Sequence, residues 1–321
     1  MLPVHFAPLQ GYTEDVYRRA HHRLCGGVDS YYTPFIRVEH GEVRRKERFD
    51  MLPEHNEGLP LVLQVIAGDA DEMQLLLDAI RTTWRPVLEA ADASECPAKR
   101  LRVDLNLGCP FPLQVRHGKG AGLMDHPDAL QRICELMQRN DALDFSVKMR
   151  LGVDDADQWR GLMPLLADTP LRHIVLHPRV ATQQYGGEPD MEAFEAFLDA
   201  CPHPVVYNGD IESASDIVSL EERYPRLAGV MVGRGLLARP TLAREYKEGA
   251  TLPDSEVRAV LSRLHDAVHE SYASRIPGEA QLLSKLRTFW DYTELTLGRK
   301  TWKKIHKAGN LKNYLAAVRE V

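Results

Sequence analysis

The segment RVDLNLGCP at residues 102–110 has the pattern that decides the fold: a short β-rich run that leads into a polar turn. The turn contains glycine and proline, which interrupt regular structure. Similar runs recur along the chain, and most are continuous apolar stretches, as expected for strands that are buried on both faces. The seven others lie at residues 3–8, 28–34, 61–66, 145–149, 173–177, 204–208 and 228–232.

Segments with apolar residues at helical spacing lie between these runs, at residues 71–83, 127–139 and 191–200. Eight strand–helix units over about 240 residues predict a (β/α)8 barrel. A doubly wound open sheet is the alternative, but it usually has fewer strands, and no G-x-G-x-x-G follows the first run. We therefore predict an α/β fold with a TIM barrel over residues 1–245.

The β-rich runs stop after Gly235, and residues 254–273, 278–297 and 300–320 have helical patterns. We predict a small all-helical bundle domain over residues 246–321.

The net charge of the whole chain is −6, which gives no reason to expect a nucleic-acid partner. The helical part is different, because it is basic while the barrel is acidic. Its basic residues suit a polyanion, and a solvated helix face explains them equally well.

The composition excludes several classes of protein. The 321 residues are 44% hydrophobic and 27% charged, as in a folded globular protein. No run approaches the roughly 20 apolar residues of a membrane span, so we expect a soluble, cytoplasmic protein without a membrane partner. The cysteines are odd in number, widely spaced and without a C-x-x-C pair, which disfavours a disulfide framework and a zinc site. They are Cys25, Cys96, Cys109, Cys134 and Cys201.

Polar residues follow the predicted strands at their carboxyl ends, where barrel enzymes carry their chemistry. Lys148 follows an apolar run, and a buried ammonium is costly unless it faces an anion or pairs with a carboxylate such as Asp104. The glycine turns at 208–210 and 233–235 follow strands seven and eight, where barrels form phosphate sites. Arg234 adds a cation to the second turn.

Cys109 is set apart from the other cysteines because it lies between Gly108 and Pro110, beyond the end of a strand. We interpret Cys25, Cys134 and Cys201 as small buried side chains, and Cys96 as an incidental loop thiol. At neutral pH a thiol can donate a proton or, once ionised, act as a nucleophile. The residues alone leave both roles open.

These motifs together resemble the tRNA-dihydrouridine synthases, in order and spacing across the whole predicted barrel. D-L-N-L-G-C-P joined to K-M-R-L-G is specific to that family. The segments that carry the resemblance are APLQG at 7–11, DLNLGCP at 104–110, GKGAGLM at 118–124, KMRLG at 148–152, HPR at 177–179, QYGG at 184–187, NGDI at 208–211 and VGRG at 232–235.

The resemblance implies an oxidoreductase that reduces the C5–C6 double bond of uridine in tRNA, with FMN at the barrel mouth and NADPH as reductant. Hydride would pass from flavin N5 to C6, and Cys109 would give a proton to C5. The implied FMN-binding residues are Ala7, Pro8, Leu9, Gln64, Lys148, His177, Asn208, Gly209, Asp210, Gly233 and Arg234. The implied tRNA-binding residues are Arg37, Asn106, Tyr185, Lys285 and Arg287.

The chain departs from the family pattern at three prolines, Pro34, Pro112 and Pro178. We treat them as variation that affects RNA contacts. Arg37, Lys285 and Arg287 favour the subgroup that acts on position 16 of tRNA. Two alternatives remain: an FMN barrel that acts on a free pyrimidine, and a tRNA-binding protein without catalysis. A monomer is the simpler expectation.

Overall fold

The computed structural model describes residues 1–92 and 100–321, and the predicted incidental thiol Cys96 lies outside them. Within the described residues the strands are β1 (Val4–Phe6), β2 (Ser30–Tyr32), β3 (Ile36–Glu39), β4 (Glu42–Val43), β5 (Leu61–Ile66), β6 (Leu101–Leu107), β7 (Leu143–Arg150), β8 (Leu171–His177), β9 (Val205–Tyr207) and β10 (Gly229–Val232).

Helices follow most of the strands. They are α1 (Asp15–Leu24), α2 (Arg45–Met51), α3 (Ala70–Asp92), α4 (Pro112–Arg116), α5 (Pro127–Gln138), α6 (Trp159–Ala167), α7 (Met191–Ala200), α8 (Ala214–Arg223), α9 (Arg234–Ala238), α10 (Leu242–Glu248), α11 (Asp254–Arg275), α12 (Glu279–Thr288), α13 (Glu294–Leu297), α14 (Arg299–His306) and α15 (Leu311–Val318). Short 3-10 helices cover Pro53–His55, Gly120–Asp125 and Ala181–Gln183.

The sheet closes into a barrel of eight parallel strands. Its strand order is β2-β1-β10-β9-β8-β7-β6-β5, and an additional pairing of β2 with β5 completes the ring. All eight predicted strands are confirmed, and helices lie between them as in a (β/α)8 barrel. The sequence did not predict β3 and β4: β3 pairs with β5 in parallel and with β4 in antiparallel orientation.

One row of residues in this sheet is polar. Gln64 on β5 is in register with Asp104 on β6, which is in register with Ser146 on β7. All three side chains are buried. Buried polar groups are costly unless they are hydrogen-bonded, so this row must form its bonds internally. It leads to the loop that carries Cys109.

The described residues group into two compact units. One contains Tyr32–Gly209 and Arg226–Met231, and the other contains Met1–Tyr31, Asp210–Pro225 and Val232–Val321. Strands β5 to β9 belong to the first. In the second, α1 packs against α11.

The helical part of the second unit has an aromatic core around Tyr314. The Tyr314 hydroxyl donates to Leu286 O at 3.1 Å and accepts from Trp290 Nε1 at 2.8 Å. His265 Nε2 lies 2.7 Å from the same oxygen, and burial lowers the pKa of His265 to about 4, so it is neutral at physiological pH. The hydroxyl therefore joins α11, α12 and α15.

The predicted helices after residue 245 form, but two of the three are divided. The segment 278–297 forms α12 and α13, and 300–320 forms α14 and α15. Gly298 has φ of 78° between α13 and α14, a conformation that glycine adopts without strain. Asn310 caps α15 by accepting from the Asn313 amide at 2.8 Å. Among the described helices none is long and apolar enough to cross a membrane.

Candidate active site

Cys109 lies on a loop that hydrogen bonds and glycines hold in place. The amides of Gly108 and Cys109 both donate to Asn106 Oδ1, at 3.0 and 2.8 Å. Gly120 has φ of 59°, and a Cβ at this position would be 2.8 Å from Cys109 Cβ. Only glycine therefore lets the backbone of the 118–122 loop come this close to the cysteine. The Ala121 amide adds a bond to Cys109 O at 3.1 Å.

The thiol of Cys109 is half-buried and protonated at neutral pH. Burial raises its pKa, while the Phe111 amide and the charges of Arg150 and Lys148 oppose the rise. A raised pKa keeps the proton on sulfur and makes the thiolate rare. The setting therefore favours a proton donor over a nucleophile, the choice that the residues alone left open.

A chain of side-chain amides connects Cys109 with the barrel interior. Asn106 Nδ2 donates to Gln64 Oε1 at 2.9 Å, and Gln64 Nε2 donates to Asp104 Oδ2 at 2.8 Å. Ser146 Oγ donates to the other carboxylate oxygen of Asp104 at 2.6 Å. Every bond in this chain runs toward Asp104. We name Ser146, Asp104, Gln64 and Asn106 the amide chain.

Asp104 sets the direction of the amide chain. Burial raises its pKa to about 6, whereas bonds from Ser146 and Gln64 and the charge of Lys148 lower it, so the group is ionised at neutral pH. An ionised carboxylate only accepts hydrogen bonds. Gln64 must then present its nitrogen to Asp104 and its oxygen to Asn106, which leaves Asn106 Oδ1 for the Cys109 amide.

Lys148 is in register with Asn106 on the neighbouring strand. It is half-buried, and its pKa is lowered to about 8 because burial desolvates the ammonium and Arg150 repels it. The pairing with Asp104, left open by the sequence, is not formed: Asp104 uses Ser146 and Gln64 instead. Within residues 1–92 and 100–321 the ammonium has no ion pair, so it suits the electron-rich edge of a ligand.

Two buried arginines, Arg150 and Arg179, also belong to this site, and neither was predicted from the sequence. Arg150 Nε donates to Gly108 O at 3.0 Å, and its guanidinium is 5.7 Å from the centre of the Tyr185 ring. Arg179 Nη1 lies 3.1 Å from His177 Nε2. Each arginine follows a predicted FMN-binding residue by two positions, in K-M-R at 148–150 and H-P-R at 177–179. This repeated spacing could have predicted the two arginines from the sequence.

Arg37 is at the end of the parallel pairing between β3 and β5. Its Nε is 3.4 Å from Glu47 Oε1, and its backbone amide donates to Glu47 Oε2 at 2.9 Å. Burial raises the pKa of Glu47, and Arg37 opposes this rise. Arg37 is half-buried and already paired, so a phosphate would have to share it with Glu47.

The turn after β9 is tightly built. Asn208 Nδ2 donates to Met231 O at 2.8 Å, which ties the end of β9 to β10. A Cβ on Gly209 would be 2.9 Å from the Tyr207 hydroxyl. These two predicted phosphate-site residues therefore hold a close turn, with no room for a side chain at Gly209.

In the other unit, the predicted residues around strands β1 and β10 lie together. The Ala7 amide donates to Val232 O at 2.9 Å, and a Cβ on Gly233 would be 3.4 Å from Ala7 Cβ and 3.6 Å from Leu9 Cδ1. Arg234 Nη2 donates to Asp210 Oδ1 at 2.7 Å. Pro8 lies between Ala7 and Leu9 in the chain. A Cβ at position 233 would therefore make ordinary van der Waals contact with these two side chains, and the neighbouring Arg234 is bonded to Asp210.

Lys285 and Arg287 on α12 make internal contacts. Lys285 Nζ lies 2.9 Å from Glu14 Oε2 and donates to Gly11 O at 2.8 Å. Arg287 donates to Ala308 O. Both side chains are half-buried. Their predicted contact with RNA would require at least the Lys285–Glu14 pair to open.

Comparison with known proteins identifies the family of the chain. The family model "Dihydrouridine synthase (Dus)" matches residues 5–318. A tRNA-dihydrouridine(16) synthase of Neisseria meningitidis serogroup A is 30% identical over 79% of this chain and 74% of its own. One from Pseudomonas syringae is 28% identical over 98% of this chain and 89% of its own. A morphinone reductase variant in complex with tetrahydroNAD has a similar fold, with a TM-score of 0.51 at 12% identity over 79% of this chain and 89% of its own. The chain belongs to the dihydrouridine synthase family.

Proposed function

We propose that this protein is an FMN-dependent oxidoreductase that reduces the C5–C6 double bond of a uridine in tRNA to 5,6-dihydrouridine, with NADPH as reductant. The observation that carries the proposal is Cys109, a protonated thiol on a fixed loop near Lys148, which has no ion pair among the described residues. Family membership supplies the substrate class. The protein would act as a monomer in the cytoplasm.

The residues present fit FMN. Lys148 offers a half-buried cation that forms no ion pair with any described residue, as the N1/O2 edge of a flavin ring requires. Gly233 lies against Ala7 and Leu9, and the Arg234 guanidinium, which also bonds Asp210, offers a phosphate contact. When bound, FMN supplies the hydride that adds to C6. The proposed FMN residues are Ala7, Pro8, Leu9, Gln64, Lys148, His177, Asn208, Gly209, Asp210, Gly233 and Arg234.

Cys109 supplies the proton that completes the reduction. Hydride addition to C6 leaves negative charge toward C5, and the thiol donates its proton there. The amide chain holds the Cys109 backbone, so the sulfur keeps its position while the proton moves. The resulting thiolate is reprotonated from water, and the net change is one hydride and one proton added to uracil.

The substrate uridine has to leave the tRNA stack to reach Cys109. We propose that Asn106 contacts the edge of the uracil and that Arg37, Tyr185, Lys285 and Arg287 contact tRNA. The helical domain, residues 246–321, supplies the last two. Position 16 is the proposed target, because the two synthases described above carry that position in their names.

The decisive experiment expresses the protein in a strain that lacks dihydrouridine and maps which tRNA positions regain it. We expect one position, at 16, and a purified protein that is yellow with bound FMN. Product on free uracil or uridine but none in tRNA would favour the alternative enzyme acting on a free pyrimidine. A colourless protein that cannot be reconstituted with FMN would refute both enzyme functions.

A further inference from the structure

Three consecutive apolar residues after Cys109-Pro110 are exposed to solvent, and the proposed function does not use them. They are Phe111, Pro112 and Leu113, with 59% of Phe111 and 43% of Leu113 accessible. We propose that these residues, the FPL patch, form a stacking surface for the nucleotide base next to the uridine that is reduced. This inference rests on the proposed function.

The backbone of the FPL patch is fixed. Phe111 precedes α4, and its carbonyl accepts from the amides of Gln114 and Val115 at 2.9 and 3.1 Å. A Cβ on Gly122 would be 2.3 Å from Val115 O, so glycine there allows the next turn of chain to pack against α4. An apolar side chain on a rigid backbone loses less entropy on binding than one on a mobile loop.

The patch lies close to Cys109 along the chain. Phe111 is two residues after Cys109, so their Cα atoms are at most about 7.6 Å apart. A uracil placed against Cys109 therefore brings an adjoining nucleotide within reach of the Phe111 ring. Proteins that unstack nucleic acids insert Phe, Leu and Pro at such steps.

The charges around the patch suit RNA as the occupant. Arg116 at the end of α4 is exposed, and it has no ion pair in the part of the chain that the structure describes. Tyr185, 49% exposed, lies over the Arg150 guanidinium, which itself bonds Gly108 beside Cys109. Aromatic surfaces interleaved with cations bind single-stranded nucleotides by stacking and charge.

The patch would lower the cost of extruding the uridine. Removing one base from a stack exposes the faces of its neighbours to water, and an aromatic ring that covers one face replaces part of the lost stacking. This effect depends on a base being present beside the target. It does not depend on which base is there, because every base has a planar face.

The test compares wild-type protein with the double variant Phe111→Ala, Leu113→Ala, both loaded with FMN. The substrates are one intact synthetic tRNA and two abasic tRNAs. One abasic tRNA lacks the base on the 5′ side of the mapped uridine, and the other lacks the base on its 3′ side. On intact tRNA we expect the variant to form dihydrouridine about 5- to 100-fold more slowly in a single turnover. On the tRNA that is abasic on the stacked side, wild type and variant should react at the same rate.

Two controls separate stacking from general damage. Phe111→Trp keeps an aromatic face and should keep the wild-type rate, and the double variant should accept electrons from NADPH normally. Phe49→Ala with Val87→Ala removes two exposed apolar side chains elsewhere, 50% and 43% accessible, and should change neither tRNA rate.

The inference alone is wrong if wild type is active and the variant is slowed equally on intact and abasic tRNAs, or not slowed on either. It is also wrong if wild type sediments as a dimer that the double variant dissociates, since the patch would then join two copies. If wild type forms no dihydrouridine in any tRNA, the proposed function fails first and the inference with it.

Discussion

Two half-buried lysines of this protein are used in opposite ways. Lys148 has no ion pair in the described residues, and its pKa is lowered to about 8. Lys285 is held by Glu14 Oε2 at 2.9 Å and by Gly11 O at 2.8 Å. A cation kept without a counter-charge is costly and indicates a ligand, whereas a paired cation holds structure together. Basic residues in the sequence do not distinguish these two cases.

The acidic residues of the same two regions show the same contrast. Asp104, near Lys148, is held only by neutral donors, and its pKa is raised to about 6. Asp15, near Lys285, pairs with Arg275 at 2.8 Å. Lys148 and Asp104 near Cys109 thus form no ion pair with the described residues, whereas Lys285 and Asp15 near α1 and α12 do. The following changes test that contrast.

The largest effect should come from Cys109→Ala. Loss of a positioned proton donor typically slows a reaction by about 100- to 10,000-fold. We expect the single-turnover rate of dihydrouridine formation to fall by that amount, while FMN content and flavin reduction by NADPH stay normal. Cys201→Ala, a buried cysteine in the same unit, is the matched control. A full yield of product from Cys109→Ala would show that the thiol is not the acid.

Lys148→Met should slow the reduction of flavin by NADPH. In the free protein the ammonium is charged below a pH of about 8 and loses its charge above it. The rate of flavin reduction by the wild-type protein should therefore fall as pH rises through this value. The fall should be about tenfold if losing the charge costs the free energy of one pKa unit. Stopped-flow reduction across this range measures the step. Lys148→Met should reduce flavin slowly at every pH and show no fall in rate near pH 8. Lys285→Met should still show the fall in rate.

Asp104→Asn should change how stability depends on pH. The pKa of Asp104 is raised to about 6 in the folded protein, above its unfolded value of 3.8, so the folded state binds the proton more tightly. This group therefore stabilises the fold at low pH and loses that contribution as pH rises through about 6.

The contribution of Asp104 is about 1 kcal/mol greater at pH 5 than at pH 8. Urea unfolding at the two pH values should show this difference between wild type and Asp104→Asn. Asp144→Asn, on a more exposed position of the next strand, is the control. An equal pH dependence in wild type and Asp104→Asn would show that Asp104 is not titrating in this range.

The smallest effect concerns Lys285. If it contacts a tRNA phosphate, Lys285→Met should reduce the slope of log affinity against log salt by about 0.9 or less. Glu14→Gln, which frees Lys285 from its pair, should then strengthen binding slightly. If Lys285 only holds Glu14, both variants should leave the slope unchanged and cost about 1 kcal/mol or less of stability. Filter binding at several salt concentrations distinguishes these outcomes.

The sequence was sufficient for the eight strands, because apolar runs are local patterns. The local Gly-Cys-Pro turn also distinguishes Cys109 from the other cysteines, and its catalytic role stays a prediction. The sequence missed the β3–β4 hairpin, whose strands are short and mostly charged or half-buried. The amide chain was also missed, since its bonds join residues about 40 positions apart. The pairing of Lys285 with Glu14 joins distant segments, so no local pattern could reveal it.

The compact unit that contains Met1–Tyr31 and Val232–Val321 has a consequence for synthesis on the ribosome. Leu2 bonds Tyr246 across 244 positions, and Asp15 bonds Arg275 across 260. The ribosome adds about 5–20 residues per second, so these partners are synthesised roughly 12–50 s after the first segment. The first strand and helix of the barrel are therefore among the last parts to become stable, and they are the parts that a chaperone would meet.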